Sequence, residues 1–191
     1  MAEAIELFQE IKETYPSILL CTDIHECWQA ERLSGIIDLC QIPAFLCKQT
    51  DLLIAATENF DKVSIKKGQW VAPKTMCLGL DKMNQDCDIW AIERGSQFGY
   101  EQLIVDFGAV DIMKESFDEV VFDCTHSTQR RKSNGFTGGD PELSQRYIKI
   151  AKTMGYTGIF AEVHPRPEES VSDKDSIMEI EEAIKCINSI L

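Results

Sequence analysis

The 191-residue sequence is short of positive charge, of long apolar runs and of paired cysteines. Lys and Arg number 19 against 32 Asp and Glu, a formal net charge of −13. That balance argues against general binding to nucleic acid or anionic membranes, both of which need a net positive field. It leaves room for a small anionic substrate, because a pocket can gather a few basic residues locally. The longest apolar stretches, SILLC and DLLIAA, fall far short of the roughly 20 residues that span a bilayer. The opening residues, MAEAIELFQEIKE, are acidic and helix-patterned, with no basic segment ahead of an apolar run, so no secretory signal is visible. The eight cysteines, at 21, 27, 40, 47, 77, 87, 124 and 186, include no CxxC pair, which removes zinc-ribbon spacing. They read as reduced, mostly buried thiols of a cytoplasmic protein. No repeat, low-complexity tract or linker interrupts the chain, so a single domain over 1–191 is expected.

Short apolar, β-branched runs bounded by turn residues recur instead. They are SILLCTD (17–23), IDLCQI (37–42), KVSIKK (62–67), DIWAIE (88–93), EVVFDC (119–124) and GIFAEV (158–163). Each is continuous rather than alternating, as in strands buried on both faces. Helical spacing falls between and around them, over 2–14, 48–59, 73–84, 141–154 and 174–190. Ile5, Phe8 and Ile11 form a stripe on the first of these. Asp140-Pro141 reads as an N-cap followed by proline at the first helical position. The last helix spaces Ile177, Ile180, Ile184, Ile187 and Ile190 along one face. Strand alternating with helix predicts right-handed crossovers and a parallel sheet.

Polar residues cluster at the carboxyl end of each run, where parallel β/α folds place their chemistry. Six such ends in succession favour a barrel over an open doubly wound sheet. A complete (β/α)8 barrel needs eight strands and usually about 250 residues, so an α/β, TIM-type barrel of about six strands is expected. Lys66, Arg94, His126 and Glu162 come from four strands. Lys and Arg at a barrel mouth suit carboxylate and phosphate groups, Arg through bidentate donors and Lys as a point charge. Lys66 and Lys67 point to opposite faces of a regular strand, and Lys66 is the better inward candidate. His126, Glu162 and Asp173 offer one imidazole nitrogen and two carboxylates, a set suited to Mn, Fe or Zn. QRRKSNGFTGG (129–139) reads as a mobile basic loop able to cover an anionic substrate. His25 and His164 sit at strand ends, in orienting or structural positions.

The chain resembles the 3-deoxy-D-manno-octulosonate 8-phosphate synthases, also called 2-dehydro-3-deoxyphosphooctonate aldolases. The motifs carrying the resemblance are TDIHECWQAE (22–31), QIPAFLCKQTDLLIAA (41–56), VSIKKGQWVAP (63–73), ERGSQFGYEQLIVDF (93–107), FDCTHSTQ (122–129) and EVHPRPEESVSD (162–173). They run in family order along essentially the whole chain. The resemblance implies a (β/α)8 barrel that assembles as a homotetramer. It implies condensation of phosphoenolpyruvate with D-arabinose 5-phosphate, releasing phosphate, for lipopolysaccharide precursor synthesis. By resemblance, the catalytic candidates are His126, Lys66 and Asp23. Lys66 and Arg94 would hold phosphoenolpyruvate, Asp23 would face the arabinose phosphate, and Gln41 and Lys48 complete the substrate-binding candidates. His126, Glu162 and Asp173 match three residues of the metal site, so one divalent ion is the implied cofactor.

The departures are specific. The resemblance has no counterpart here of the first two β/α units, which carry the family's Lys-Ala-Asn-Arg segment and a Cys or Asn on the first strand. Lys48 stands where the family usually has an arginine, which keeps the charge and loses the fork. Two alternatives stand beside the synthase reading. One is an inactive or partner-dependent remnant of this family; the other is a related heptulosonate phosphate synthase.

Overall fold

The computed structural model of the chain describes residues 1–131 and 137–189. Every apolar run becomes a strand: β1 (Cys21–Asp23), β2 (Leu39–Ile42), β3 (Lys62–Lys66), β4 (Asp88–Glu93), β5 (Glu119–Asp123) and, after two short strands, β8 (Gly158–Phe160). These six lie in chain order in one sheet, and β1–β2, β2–β3 and β5–β8 pair parallel. Two-residue strands make two smaller pairs: β6 (Arg130–Arg131) antiparallel to β7 (Thr137–Gly138), and β9 (Val163–His164) parallel to β10 (Met178–Glu179). The helices are α1 (Ala2–Thr14), α2 (Cys27–Leu33), α3 (Thr50–Asn59), α4 (Pro73–Met76), α5 (Ala109–Lys114), α6 (Pro141–Met154) and α7 (Ile180–Asn188). This is the parallel β/α order of a TIM-type barrel, with six of its strands in these residues. No described helix is long and apolar enough to cross a membrane.

Two compact units divide the chain: Met1–Lys66 with Cys77–Trp90, and Lys67–Met76 with Ala91–Leu191. In the first, β2 and β3 are buried along nearly their whole length, as their continuous apolar runs require, while the edge strand β1 is half exposed. The register sets Asp23 opposite Gln41 and Gln41 opposite Ser64, so the strands finish level. The stripe Ile5, Phe8 and Ile11 is the half-buried side of α1. Lys12 Nζ anchors that helix by donating to Asp38 Oδ1 at 2.8 Å, and Leu20 N–H donates to Asp38 Oδ2 at 2.8 Å. Burial pushes the Asp38 carboxyl up, but Lys12 and the Leu20 N–H outweigh it and hold the group below the ordinary carboxylate range.

Three helical expectations change. The segment 73–84 is α4 followed by a separate 3-10 turn, Leu80–Lys82, because Gly79 adopts φ +98° between them. α2 and α5 are short helices that the periodicity did not single out; each buries a few residues, Ala30 and Leu33 in one and Ala109, Val110 and Met113 in the other. α7 starts at Ile180 rather than within 174–179. Its isoleucine stripe is not the buried side: Ile180, Ile184 and Ile187 are exposed, whereas Ala183 and Cys186 are buried. A period identifies an apolar face without saying whether anything covers it. Ile190 lies outside the described residues.

In the second unit, α6 begins as its sequence dictates. Asp140 caps it by accepting from Leu143 N–H at 3.0 Å, Pro141 is its first residue, and Gly155 closes it at φ +86°. α6 then packs Tyr147 against Phe122 of β5, with ring centroids 6.1 Å apart. At the end of β4 lies a buried ion pair. Lys67, fully enclosed, places Nζ 3.6 Å from Glu93 Oε1 and donates to Ser96 Oγ at 3.0 Å and to the carbonyls of Val71 and Gly95, both at 3.3 Å. Glu93 Oε1 accepts from Gly95 N–H at 2.5 Å. Both groups therefore grip the chain on either side of Arg94, at a turn where Gly95 takes φ +90°. Burial pushes the Glu93 carboxyl up, against the opposing pull of Lys67 and the Gly95 N–H.

Removing the ammonium takes the counter-charge from the buried Glu93 carboxyl and the donor from the Gly68, Val71 and Gly95 carbonyls. Lys67→Met should therefore cost about 3–5 kcal/mol, read as a lower denaturation midpoint in urea. Glu93→Gln keeps an acceptor for Gly95 and should cost clearly less. Equal losses in the two variants would contradict this account of the turn.

Candidate active site

In the first unit the candidate residues lie at the carboxyl ends of adjacent strands. Asp23 ends β1 and accepts a hydrogen bond from Gln41 Nε2 on β2. Gln41 is buried, and its Oε1 has no hydrogen-bond partner among the described residues; the same is true of Ser64 Oγ, its neighbour in register on β3. Lys66, the last residue of β3, is also buried, so a cation and two open polar atoms share this end of the sheet. Lys48 is exposed on the loop before α3. It lines a cavity of about 300 Å³ with Thr50, Leu53, Ile54 and Lys82, a lining that includes none of Asp23, Gln41 or Lys66. Of the nearby thiols, Cys40 is enclosed, and burial pushes it up to about 12, whereas Cys21 is exposed.

In the second unit the chemistry is built around β5. Asp123 ends that strand wholly buried. Its Oδ1 accepts from the backbone N–H of Thr125 at 3.1 Å and of His126 at 2.9 Å, and its Oδ2 stands 2.8 Å from His126 Nδ1. A carboxylate is an acceptor, so Nδ1 carries the proton in the neutral ring and Nε2 presents a lone pair. Nε2 stands 3.4 Å from Glu162 Oε1. Glu162 is held in turn by its backbone N–H, which donates to Thr125 Oγ1 at 2.8 Å.

Asp173 comes from the loop after β9 and takes φ +49°, a left-handed conformation that Asp tolerates better than most residues. One ligand atom each from His126, Glu162 and Asp173 lies within 4.8 Å of the others. One imidazole nitrogen and two carboxylates, with the imidazole oriented by a buried carboxylate behind it, fit a divalent transition-metal ion. Cys124 does not join the set. Its Sγ donates to Phe160 carbonyl at 3.2 Å, and burial pushes its thiol up to about 12.

Arg94 leaves β4 buried. Its Nη2 donates to Gln129 Oε1 at 2.8 Å, and Gln129 Nε2 donates to Asp173 Oδ1 at 2.7 Å. Arg94 Nε, also buried, has no partner among the described residues. Burial lowers the guanidinium pKa, opposed by Asp123, Asp173, Glu93 and Glu162. His164 acts locally, its Nδ1 lying 2.7 Å from the Arg166 carbonyl and 3.0 Å from the Arg166 backbone nitrogen. His25 is exposed at the start of the turn into α2, where its backbone N–H donates to Gln29 Oε1 at 2.6 Å. The basic loop 129–139 is only partly visible; residues 132–136 lie outside the described residues.

The residues that sequence reasoning missed are supports rather than ligands: Asp123, Thr125, Gln129 and the Lys67–Glu93 pair. Asp123 had a signal, since a carboxylate three residues before a histidine at a strand end can reach back to the ring. Gln129 and Glu93 had none, because their partners are distant in sequence.

Residues 1–190 match the DAHP synthetase I family. The 2-dehydro-3-deoxyphosphooctonate aldolase of Fusobacterium nucleatum is 40% identical over 191 residues, covering 97% of this chain and 68% of that protein. The enzyme of the same name from Campylobacter jejuni subsp. doylei is 36% identical over 205 residues, covering all of this chain and 76% of its own. That of Helicobacter pylori strain P12 is 35% identical over 207 residues, again covering all of this chain and 74% of its own. With its six parallel strands and polar strand ends, the chain belongs to the DAHP synthetase I family.

Proposed function

We propose that this chain is a 2-dehydro-3-deoxyphosphooctonate aldolase type of synthase, condensing phosphoenolpyruvate with D-arabinose 5-phosphate and water to give the eight-carbon sugar acid phosphate and inorganic phosphate. The observation carrying the reading is the meeting of His126, Glu162 and Asp173 in a chain whose relatives bear that name. C3 of phosphoenolpyruvate attacks the aldehyde carbon, water adds at C2, and the resulting tetrahedral carbon expels phosphate by C–O cleavage. Lys66 and Arg94 are assigned to phosphoenolpyruvate, where they neutralise carboxylate and phosphate charge. Arg94 retains an undirected buried Nε for that purpose. Gln41, with its open Oε1, is assigned to substrate binding, as are Asp23 toward the arabinose phosphate and Lys48 toward a phosphate. His126, Glu162 and Asp173 are the residues that would hold a divalent ion. When bound, such an ion supplies Lewis acidity and orients an aldehyde or a water. Asp123 holds the His126 ring with its Nε2 edge toward Glu162. A homo-oligomer and a role in lipopolysaccharide precursor synthesis follow from the same reading.

Two measurements test this. Phosphate release is expected with phosphoenolpyruvate plus arabinose 5-phosphate and not with erythrose 4-phosphate in its place. The reverse preference would establish the heptulosonate synthase, and release with neither would establish an inactive chain. Titration with Mn²⁺ should show one site that His126→Ala abolishes and Cys124→Ala leaves intact. Binding lost in the Cys124 variant and kept in the His126 variant would overturn the ligand set.

A further inference from the structure

Gln129 belongs to none of the assigned roles, yet its side chain touches two of the groups that carry them. Its Oε1 accepts from the Arg94 guanidinium at 2.8 Å and its Nε2 donates to Asp173 Oδ1 at 2.7 Å. A guanidinium only donates and a carboxylate only accepts, so the amide has one satisfactory orientation, and reversing it would break both bonds. The backbone of Gln129 is pinned as well. Its N–H donates to His126 carbonyl at 3.1 Å, and its carbonyl accepts from Leu103 N–H at 3.2 Å. The amide therefore enters from a fixed point between a cation and an anion that would otherwise attract each other.

We propose that Gln129 is a positioning residue that sets the cation-binding and anion-binding halves of this site with one side chain. Its donor end aims the Asp173 carboxylate toward His126 and Glu162. Its acceptor end holds Arg94 with Nε uncommitted, and the neutral amide keeps guanidinium and carboxylate from closing into an ion pair that would silence both. Carboxylates that ligate metals depend on such hydrogen bonds, and losing one typically weakens metal affinity about 10–100-fold. The inference rests on the proposed function, since it assumes that Asp173 binds a cation and Arg94 an anion.

The test is to titrate the full chain and two variants with Mn²⁺ and, separately, with inorganic phosphate, checking folding by circular dichroism. Gln129→Met keeps the length of the side chain and loses both hydrogen bonds. It should weaken Mn²⁺ binding at least tenfold and weaken phosphate binding too. Gln129→Glu keeps an acceptor for Arg94 but pairs with it as a carboxylate. It should weaken phosphate binding and, having lost the donor to Asp173 and set a second carboxylate against it, weaken Mn²⁺ binding as well. A residue that merely stabilises the fold would leave both affinities unchanged in a variant that still folds, and the Glu variant decides the matter even where the Met variant fails to fold. Unchanged affinities in folded variants would overturn the role of Gln129 alone. An unsubstituted chain that binds neither probe would overturn the functional reading and this inference with it.

Discussion

The arrangement around β5 depends on one buried carboxylate. Asp123 commits both oxygens to the turn that follows it, taking the N–H groups of Thr125 and His126 and the Nδ1 edge of the His126 ring. A carboxylate without solvent access must be answered by donors, and here the donors belong to the residues that need positioning. The turn can close in few other ways without leaving that charge exposed to an apolar surround. From it follow the direction of His126 Nε2, the location of the Thr125 hydroxyl and, through that hydroxyl, the backbone of Glu162.

The end of β4 uses the same logic with both charges supplied by protein. Lys67 and Glu93 face each other across 3.6 Å and both bond the backbone around Gly95, which fixes where Arg94 leaves the strand. A buried pair of this kind adds little net stability compared with apolar packing, but breaking it by removing one partner is costly. Its value lies in defining one path for the chain, and an arginine whose donors are to meet an anion needs a fixed origin. Gly95 contributes the φ +90° that the path requires, and a Cβ there would stand 3.1 Å from the Leu103 side chain.

Much of the fold was legible because strand burial writes itself as continuous apolar runs, and all six runs became strands. α6 was legible to the residue, since Asp140, Pro141 and Gly155 act locally. The face of α7 was not, because Ile180, Ile184 and Ile187 record an apolar stripe and not its surroundings. In the second unit, His126, Glu162 and Asp173 were named from the chemistry of their side chains, and their ligand atoms converge. Lys67 was passed over because a Lys-Lys pair at a strand end looks solvated, and only its distant partner Glu93 explains a fully buried ammonium. Long-range partners of this kind leave no spacing in the sequence to find.

The central claim is that the turn after β5 presents His126 Nε2 to a cation shared with Glu162 and Asp173. Crystals grown with Mn²⁺ and measured at the manganese absorption edge test it most directly. An anomalous peak bounded by His126 Nε2 and by carboxylate oxygens of Glu162 and Asp173, with Asp123 still on Nδ1, is the expected result. A peak held by other side chains, or a His126 ring turned to bind through Nδ1 with Asp123 displaced, would contradict it.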